Sequence, residues 1–387
     1  ADQVLGEYGA AIENQVLERL GRDREFVEQD GRWLLRGLLL PVSEYHLNLA
    51  EAAIEQAFEQ DRRAPATAEL ASVLEISGDG GKKGTLLFSL EYALRHDNRF
   101  ADVGRLGEPH WSLTRLIPLE AQQVPPVLEL ARVSLVGQLP PELEAVVAEL
   151  EGQADVSATA APHGGPTPLL SVALTYPHRR AGSLPLTAGL NALLPESDRR
   201  AMLIWLVDES TGSKMPAWVV REGNYLAGLK PWYDQRKLNP GAFIQLQRRP
   251  EPQTLSIEYQ GQRERSLWVR VARVQGGQLT FTQERRPVGH KYDEEMLILV
   301  GDQNALDTYH NQNRGDRPVE ALLIDIFPEL AKLVPGGRVH AKTLFSAVNF
   351  ARRIGPRPVF QALAQSSAFA SLGGGYYALE TARDFAR

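Results

Sequence analysis

Basic residues without acidic neighbours concentrate near the C-terminal end of the chain. The stretch from Leu330 to Leu379 contains no Asp or Glu, and its cations are Lys332, Arg338, Lys342, Arg352, Arg353 and Arg357. Lys and Arg side chains neutralise phosphates, and Asn can bind adenine through two hydrogen bonds. Lys342, Asn349 and Arg353 are spaced seven and four residues apart, so they share one face of a predicted helix. This pattern predicts a nucleic-acid contact; the alternative is a solvated face whose arginine pair complements a helix dipole.

Two further segments carry candidate phosphate-binding cations. The first supplies Lys82, Lys83, Arg95, Arg99 and Arg105. Glu91, Asp97 and Asp102 lie among them, so a solvated surface of mixed charge, or a protein-binding surface, is the alternative. The second segment supplies Arg179, Arg180, Lys214, Lys230, Arg236 and Lys237. We expect Trp232 and Tyr233 in the core there rather than stacked on bases, and the Arg-Arg-Pro run at 285–287 in a turn.

The residue pattern favours a chain without catalytic chemistry. The eight histidines are scattered and show no zinc-ligand spacing on a helix. The glycines at 78–81 lack the spacing of a phosphate-binding loop, and no Gly-x-Ser-x-Gly elbow occurs. We therefore predict no catalytic residue, no metal and no cofactor.

Composition limits the class of protein. The net charge of −6 argues against a protein that simply coats nucleic acid. The chain contains no Cys, no apolar run of about 18 residues and no secretory signal at its start, so we expect a cytoplasmic protein without membrane contact.

An internal repeat organises the chain. The segments RDREFVEQDGRWLLRGLLLP (22–41) and HDNRFADVGRLGEPHWSLTRLIP (96–118) share a Phe, a polar turn, a Trp, an Arg and an apolar run that ends in Pro. A looser copy, SSAFASLGGGYYALE (366–380), has Phe369 as its anchor and Tyr377 in place of Trp. Helical apolar spacing precedes the second and third copies, so we predict three helices and a hairpin, which is a winged helix.

The middle of the chain is rich in strands. Short apolar runs separated by turn residues occupy 167–302 and predict a small β-barrel. The fold class is therefore α+β and multidomain, with five segments. We expect a partial winged helix at 1–42, a winged helix at 43–120, a helical segment and linker at 121–166, a β pseudobarrel at 167–302, and a C-terminal winged helix at 303–387.

The second repeat resembles a known family. The segment KKGTLLFSLEYALRHDNRFADVGRLGEPHWSLTRL (82–116) is similar to HARE-type winged helices of bacterial RNA-polymerase delta subunits, restriction systems and chromatin-associated proteins. Thr85, Ser89, Phe100, Trp111 and Leu113 carry the resemblance. Residues 340–379 resemble it more distantly. The family implies a third helix that enters the major groove and a wing that meets the DNA backbone. It also implies RNA polymerase or a nuclease of a defence system as a partner.

The strand-rich segment resembles a second family. Residues 184–248 look like the DNA-binding pseudobarrel of plant transcription factors and restriction-enzyme effector domains. The shared features are Asp208, Gly212, Trp218, a Gly-Leu-Lys-Pro-Trp-Tyr run at 228–233 and an Asn-Pro-Gly turn at 239–241. The chain departs from that family at Ala242, where an Asp is usual. The resemblance implies two arms, Tyr176–Ser183 and Arg221–Lys230, that grip the major groove.

Together these patterns predict a non-enzymatic regulator that binds duplex DNA, with several weak modules in one chain adding their affinities. A protein-interaction scaffold that binds DNA only weakly is one alternative. The recognition part of a restriction-type nuclease is another.

Overall fold

The computed structural model describes residues 15–74, 83–131, 133, 137–151, 158–160, 166–313 and 317–380. The chain divides into two compact units. The first unit is Ala1–Pro118 together with Glu196–Leu203, and the second is Leu119–Pro195 together with Ile204–Arg387. Helices and strands are mixed throughout both, which confirms the α+β class.

The described residues of the first unit form four helices and two hairpins. In chain order they are α1 (described over residues 15–22), β1 (Phe26–Gln29), β2 (Arg32–Leu35), α2 (Glu44–Asp61), α3 (Thr67–Val73), α4 (Lys83–Arg95), β3 (Phe100–Asp102) and β4 (Trp111–Leu113). Short 3-10 turns follow β2 at Arg36–Leu38 and β4 at Thr114–Leu116.

The hairpin of β3 and β4 packs on the helices through the residues that the repeat singled out. Phe100 lies opposite Leu113 in the antiparallel pair. Trp111 is fully buried, and its indole Nε1 donates to the Thr67 hydroxyl at 2.9 Å. A two-stranded ribbon is marginal in water by itself, so its stability comes from this shared core with α2, α3 and α4.

The second unit begins with helices and a large sheet. Its elements are α5 (Leu119–Gln122), a 3-10 turn (Pro126–Leu128), α6 (Pro141–Leu150), β5 (Ala158–Ala160), β6 (Pro166–Ala173), α7 (Tyr176–Ala181), β7 (Ser183–Pro185), α8 (Ala188–Leu193), β8 (Met202–Asp208), β9 (Lys214–Val220), β10 (Tyr225–Ala227), α9 (Lys230–Gln235), β11 (Phe243–Arg248) and β12 (Thr254–Tyr259). The sheet has eight strands in the order β5-β6-β11-β12-β8-β9-β10-β7, and β12 pairs with β8 in parallel.

A long ribbon and a helical bundle complete the second unit. The elements are β13 (Gly261–Gln275), β14 (Gln278–His290), β15 (Ile298–Val300), α10 (Gln303–Gln312), α11 (Val319–Ala331), a 3-10 turn (Pro335–Gly337), β16 (Val339–His340), α12 (Ala341–Ala351), α13 (Pro356–Gln365), β17 (Phe369–Gly373) and β18 (Tyr376–Leu379). Strands β13–β15 form their own three-stranded sheet, and β16, β18 and β17 form another. The Arg-Arg-Pro run at 285–287 lies inside β14, so its interpretation as a turn was wrong.

One apolar core joins α6, the ribbon and the C-terminal helices. Phe281 of β14, Leu143 of α6 and Phe350 of α12 all belong to it and are fully buried. Helix α12 lies at its centre, because all its residues except Lys342 are buried. No helix in the described part of the chain is long and apolar enough to cross a membrane.

Candidate nucleic-acid interface

The cations expected in the first unit are mostly engaged by carboxylates. Arg95 contacts Asp30 at 2.5 Å and Asp102 at 3.0 Å. Arg99 contacts Asp97 at 2.6 Å and is also held by two glutamates of α2, Glu44 and Glu51. Such pairs compete with phosphate for the same guanidinium, so these two arginines are poor phosphate ligands in this arrangement.

The other cations expected there differ. Arg105 stands at the tip of the β3–β4 hairpin, where it pairs with Glu108 at 2.5 Å. Lys83 is exposed and makes no ion pair with a described residue. Lys82 lies outside the described residues.

In the strand-rich segment the expected cations hold the fold together. Arg180 binds Asp307 through two nitrogens, and Arg179 contacts Asp234 at 2.9 Å. Lys230 also pairs with Asp234, four residues along α9. Burial alone would raise the pKa of the Asp234 carboxyl, but its hydrogen bonds from the two cations outweigh burial and hold that pKa below its usual range.

Arg236 belongs to a buried polar cluster. It pairs with Asp208, which also accepts from the Trp232 indole Nε1 at 2.9 Å. Its guanidinium lies 4.9 Å from the Trp232 ring centre. Trp232 and Tyr233 are buried, as expected. Lys214 and Lys237 remain exposed without acidic partners among the described residues, with the Lys214 ammonium 4.8 Å from the ring centre of Trp205.

The expected recognition face in the C-terminal segment is not a surface. Asn349 is only 2% exposed, and its amide bonds the backbone of Phe345 and Ile354. Arg352 and Arg353 are also buried and donate to backbone carbonyls. The expectation that these three residues contact bases or phosphates is therefore wrong for this fold, because α12 is the central helix and not an outer one.

Helix α6 occupies the outer face of the same segment. Glu144 binds Arg357 of α13 through two contacts of 2.8 Å, and Glu149 contacts Lys342 at 2.6 Å. Glu142 accepts the backbone N–H of Gly374 at the tip of the β17–β18 hairpin. One acidic helix therefore contacts both α13 and the tip of the β17–β18 hairpin.

Helix α6 is part of the core and not a removable cover. Leu143 and Val147 on its inner side are fully buried. Exposing two such side chains costs roughly 3–6 kcal/mol, which is comparable with the stability of a whole domain.

Among the C-terminal cations predicted to bind DNA, Arg338 is the one that stays exposed without an ion pair to a described residue. Its guanidinium lies 5.5 Å from the ring centre of Tyr376.

The structure adds a basic surface that the sequence predictions missed, on the ribbon of β13 and β14. Trp268 is 69% exposed and lies directly opposite Arg285, so both side chains project from one face. Arg263 and Arg265 are exposed at the irregular end of β13. None of these three arginines forms an ion pair with a described residue. We call Arg263, Arg265, Trp268 and Arg285 the ribbon patch.

The charge of the ribbon is unevenly distributed. Residues 261–290 contain six arginines and two glutamates. Glu284 pairs with Arg273 and Arg286, whereas Glu264 is exposed between the two unpaired arginines of β13. The Arg-Glu-Arg and Arg-Arg runs were visible in the sequence, but their position across one ribbon depends on the strand register.

No other chemistry is evident at these sites. The described residues contain no group of three His, Asp or Glu side chains arranged to hold a metal ion. No family model, no curated protein and no solved structure matches the chain.

Proposed function

We propose that the chain is a non-enzymatic DNA-binding protein that contacts duplex DNA through the ribbon patch. The observation that carries this proposal is that the ribbon exposes Trp268 together with three arginines, Arg263, Arg265 and Arg285, that have no acidic partners among the described residues. Elsewhere in the described chain, most of the arginines expected to bind DNA are paired or buried. Charge that is not already neutralised is the charge that phosphates can use.

A two-stranded ribbon suits this role because its width fits the major groove of B-DNA. Arginines on such a ribbon bind phosphates and the acceptor edge of guanine. Trp268 adds an apolar surface that can lie against bases or sugars. The ribbon is anchored on both faces, with Val269 and Ala272 in different apolar cores, so it presents the patch on a rigid support.

In this proposal the other modules keep their expected folds but not their expected DNA contacts. Helices α2–α4 with the β3–β4 hairpin, and helices α11–α13 with the β17–β18 hairpin, are winged helices, and the eight-stranded sheet is a pseudobarrel. The order helix, short strand, two helices and hairpin in the C-terminal segment, with β16 beside β18, supports this assignment. Lys83, Lys214, Lys237 and Arg338 are exposed outside the ribbon patch, and the proposal assigns them no phosphate contact.

A protein-interaction scaffold is the second candidate. It is favoured by the dense ion pairing of the first unit, where mixed charge leaves little net attraction for DNA. Partners of such a scaffold would be RNA polymerase or a defence-system nuclease. In the latter case the chain could serve as the recognition part of a restriction-type enzyme.

Fluorescence anisotropy with random duplex DNA at several salt concentrations tests the proposal. In the ribbon variant, the three arginines of the patch are replaced by Ala. If each arginine contacts one phosphate, the slope of log affinity against log salt falls by about 2.7, at about 0.9 per contact. A control variant removes the same charge elsewhere, through Ala at Lys83, Lys214 and Lys237.

The control variant is expected to change the slope by less than one. An equal effect of both variants would mean that only total charge matters and would refute the ribbon patch as the interface. Absence of binding by the wild-type chain at low salt would refute DNA binding and leave the scaffold.

A further inference from the structure

A cavity of about 260 Å³ lies within the second unit, away from the ribbon patch. The sheet contributes β6, the helical part contributes α12 and the loop before α13, and α6 contributes its last turn. Leu150, Val172, Met296 and Phe345 make its walls largely apolar. Since a cavity of about 150 Å³ holds benzene, this one holds a ring or a chain of roughly six to eight carbons.

A cation without a counter-ion lines this cavity. Arg353 is 4% exposed and donates to the carbonyl oxygens of Leu128, Gly223 and Asn224 at 2.6, 3.0 and 2.9 Å. No described carboxylate pairs with it, and two of its five N–H donors make no hydrogen bond to a described residue. A buried charge without an opposite charge is costly, so this arrangement favours an anion in the cavity.

Asn349 fixes the position of this cation. Its amide group donates to the Ile354 carbonyl and accepts from the Ile354 backbone N–H, which ties down the residue after Arg353. The carbonyl of Arg353 in turn accepts from Ala131. The guanidinium is therefore held by the backbone on both sides, as expected for a preorganised binding group.

Two neutral polar groups line the cavity beside Arg353. His178 is 3% exposed; its Nδ1 lies 2.9 Å from the Ser183 hydroxyl, and its Nε2 makes no hydrogen bond to a described residue. The Thr175 hydroxyl also lacks a described partner, although Thr175 occupies the N-cap position of α7. Both side chains line the cavity, so these polar atoms are available to a polar group of a ligand.

The charge states of the site follow from burial. Burial, and then the nearby Arg353 charge, lower the pKa of His178 well below its usual value, so the imidazole is neutral near pH 7. Burial lowers the pKa of Arg353 to about 10, which leaves the guanidinium charged. The carboxylate among the lining residues, Glu151, ends α6 and interacts with the Arg357 charge.

From this geometry we propose that the cavity binds a small monocarboxylate with an apolar body. The carboxylate accepts from the free donors of Arg353 and from His178, and the apolar body packs on Val172, Met296 and Phe345. The ligand class follows from one fixed positive charge, neutral hydrogen-bonding partners and apolar walls. This inference does not depend on DNA binding.

Isothermal calorimetry and thermal denaturation with butyrate, hexanoate, octanoate and benzoate test the inference. We expect at least one of these to bind saturably with a Kd near or below about 1 mM and to raise the melting temperature. Hexanol, which has the same chain as hexanoate without its charge, is expected to bind at least tenfold more weakly.

Two variants locate the site. Arg353→Met removes the cation, and Ala188→Trp narrows the cavity at an exposed lining residue without touching the core. Each is expected to weaken carboxylate binding at least tenfold, whereas the control Arg338→Met, which removes an exposed cation outside the cavity, leaves it unchanged. If Arg353→Met does not fold, Ala188→Trp alone decides. Failure of all four carboxylates to bind the wild-type chain, equal binding of hexanol, or unchanged binding in Ala188→Trp would overturn the proposal.

Discussion

Replacing Trp268 by Ala separates the contribution of the aromatic ring from that of charge at the ribbon patch. Because 69% of this residue is exposed, the substitution removes only a modest buried area. It is expected to lower the free energy of unfolding by at most about 1–2 kcal/mol. The fully buried Trp111 is a useful contrast, since its replacement by Ala is expected to cost about 3–5 kcal/mol.

The expected effect of this substitution on DNA binding is larger than its effect on folding. Burial of the indole ring against the duplex contributes about 1.5–3 kcal/mol, which corresponds to an affinity loss of about 10- to 150-fold. The ring carries no charge, so the slope of log affinity against log salt should not change. Replacement of Arg285, the residue opposite, should instead lower that slope by about one.

Fluorescence anisotropy at four or more salt concentrations measures both quantities for Trp268→Ala, Trp268→Phe and Arg285→Ala. Trp268→Phe retains an aromatic ring and is expected to recover most of the affinity. A contact between Trp268 and DNA is refuted if Trp268→Ala binds as tightly as the wild-type chain. It is also refuted if the loss comes with a lower salt slope, because the defect would then be in phosphate contacts.

Three further predictions concern the fold that supports these sites. Asp30→Asn should lower the free energy of unfolding by about 2–3 kcal/mol. This loss is smaller than the cost of leaving a buried charge with no partner, because Arg95 and Arg199 both keep their contact with Asp102. Burial alone would raise the pKa of Asp30, but hydrogen bonds from its two arginines outweigh burial and lower that pKa overall. The difference in free energy of unfolding between wild type and Asp30→Asn should therefore reach its full size above the usual carboxyl pKa and disappear as the pH falls through the lowered pKa of Asp30. Urea unfolding at several pH values measures this difference. Asp208→Ala leaves the Arg236 charge buried and unpaired and should cost about 3–5 kcal/mol in urea unfolding; Asp208→Asn also removes the negative charge and should cost nearly as much, so a much smaller loss for Asp208→Asn would contradict a charge effect. Leu143→Ala in α6 should cost about 2–5 kcal/mol without changing the salt slope of DNA binding, whereas tighter DNA binding would show that α6 is a displaceable cover.

The pattern of Phe, polar turn and Trp predicted all three hairpins, and each is present, as β1–β2, β3–β4 and β17–β18. These predictions were accurate because a turn and an alternating strand are coded by neighbouring residues. The apolar runs in the middle of the chain likewise mark the observed strands, although β13–β15 form a separate sheet.

The prediction of binding residues was less accurate, for a physical reason. Whether a cation is free depends on which carboxylates the fold places beside it. Arg357 has no acidic residue nearby in the sequence, yet it pairs with Glu144 of a helix more than 200 residues earlier. The spacing of Lys342, Asn349 and Arg353 described a shared helix face, but spacing does not report whether that face is covered.

Local patterns in the sequence thus determined the α+β class, the hairpins and most of the strands, since these depend on residues close together in the chain. The tertiary structure alone decided which charges remain available. It paired Arg95, Arg180 and Arg236 with distant carboxylates, buried Arg353 beside a cavity, and brought Trp268 and Arg285 together across one ribbon. Charge neutralisation and burial act through space and not along the chain, so the sites could be assigned only after the segments were packed.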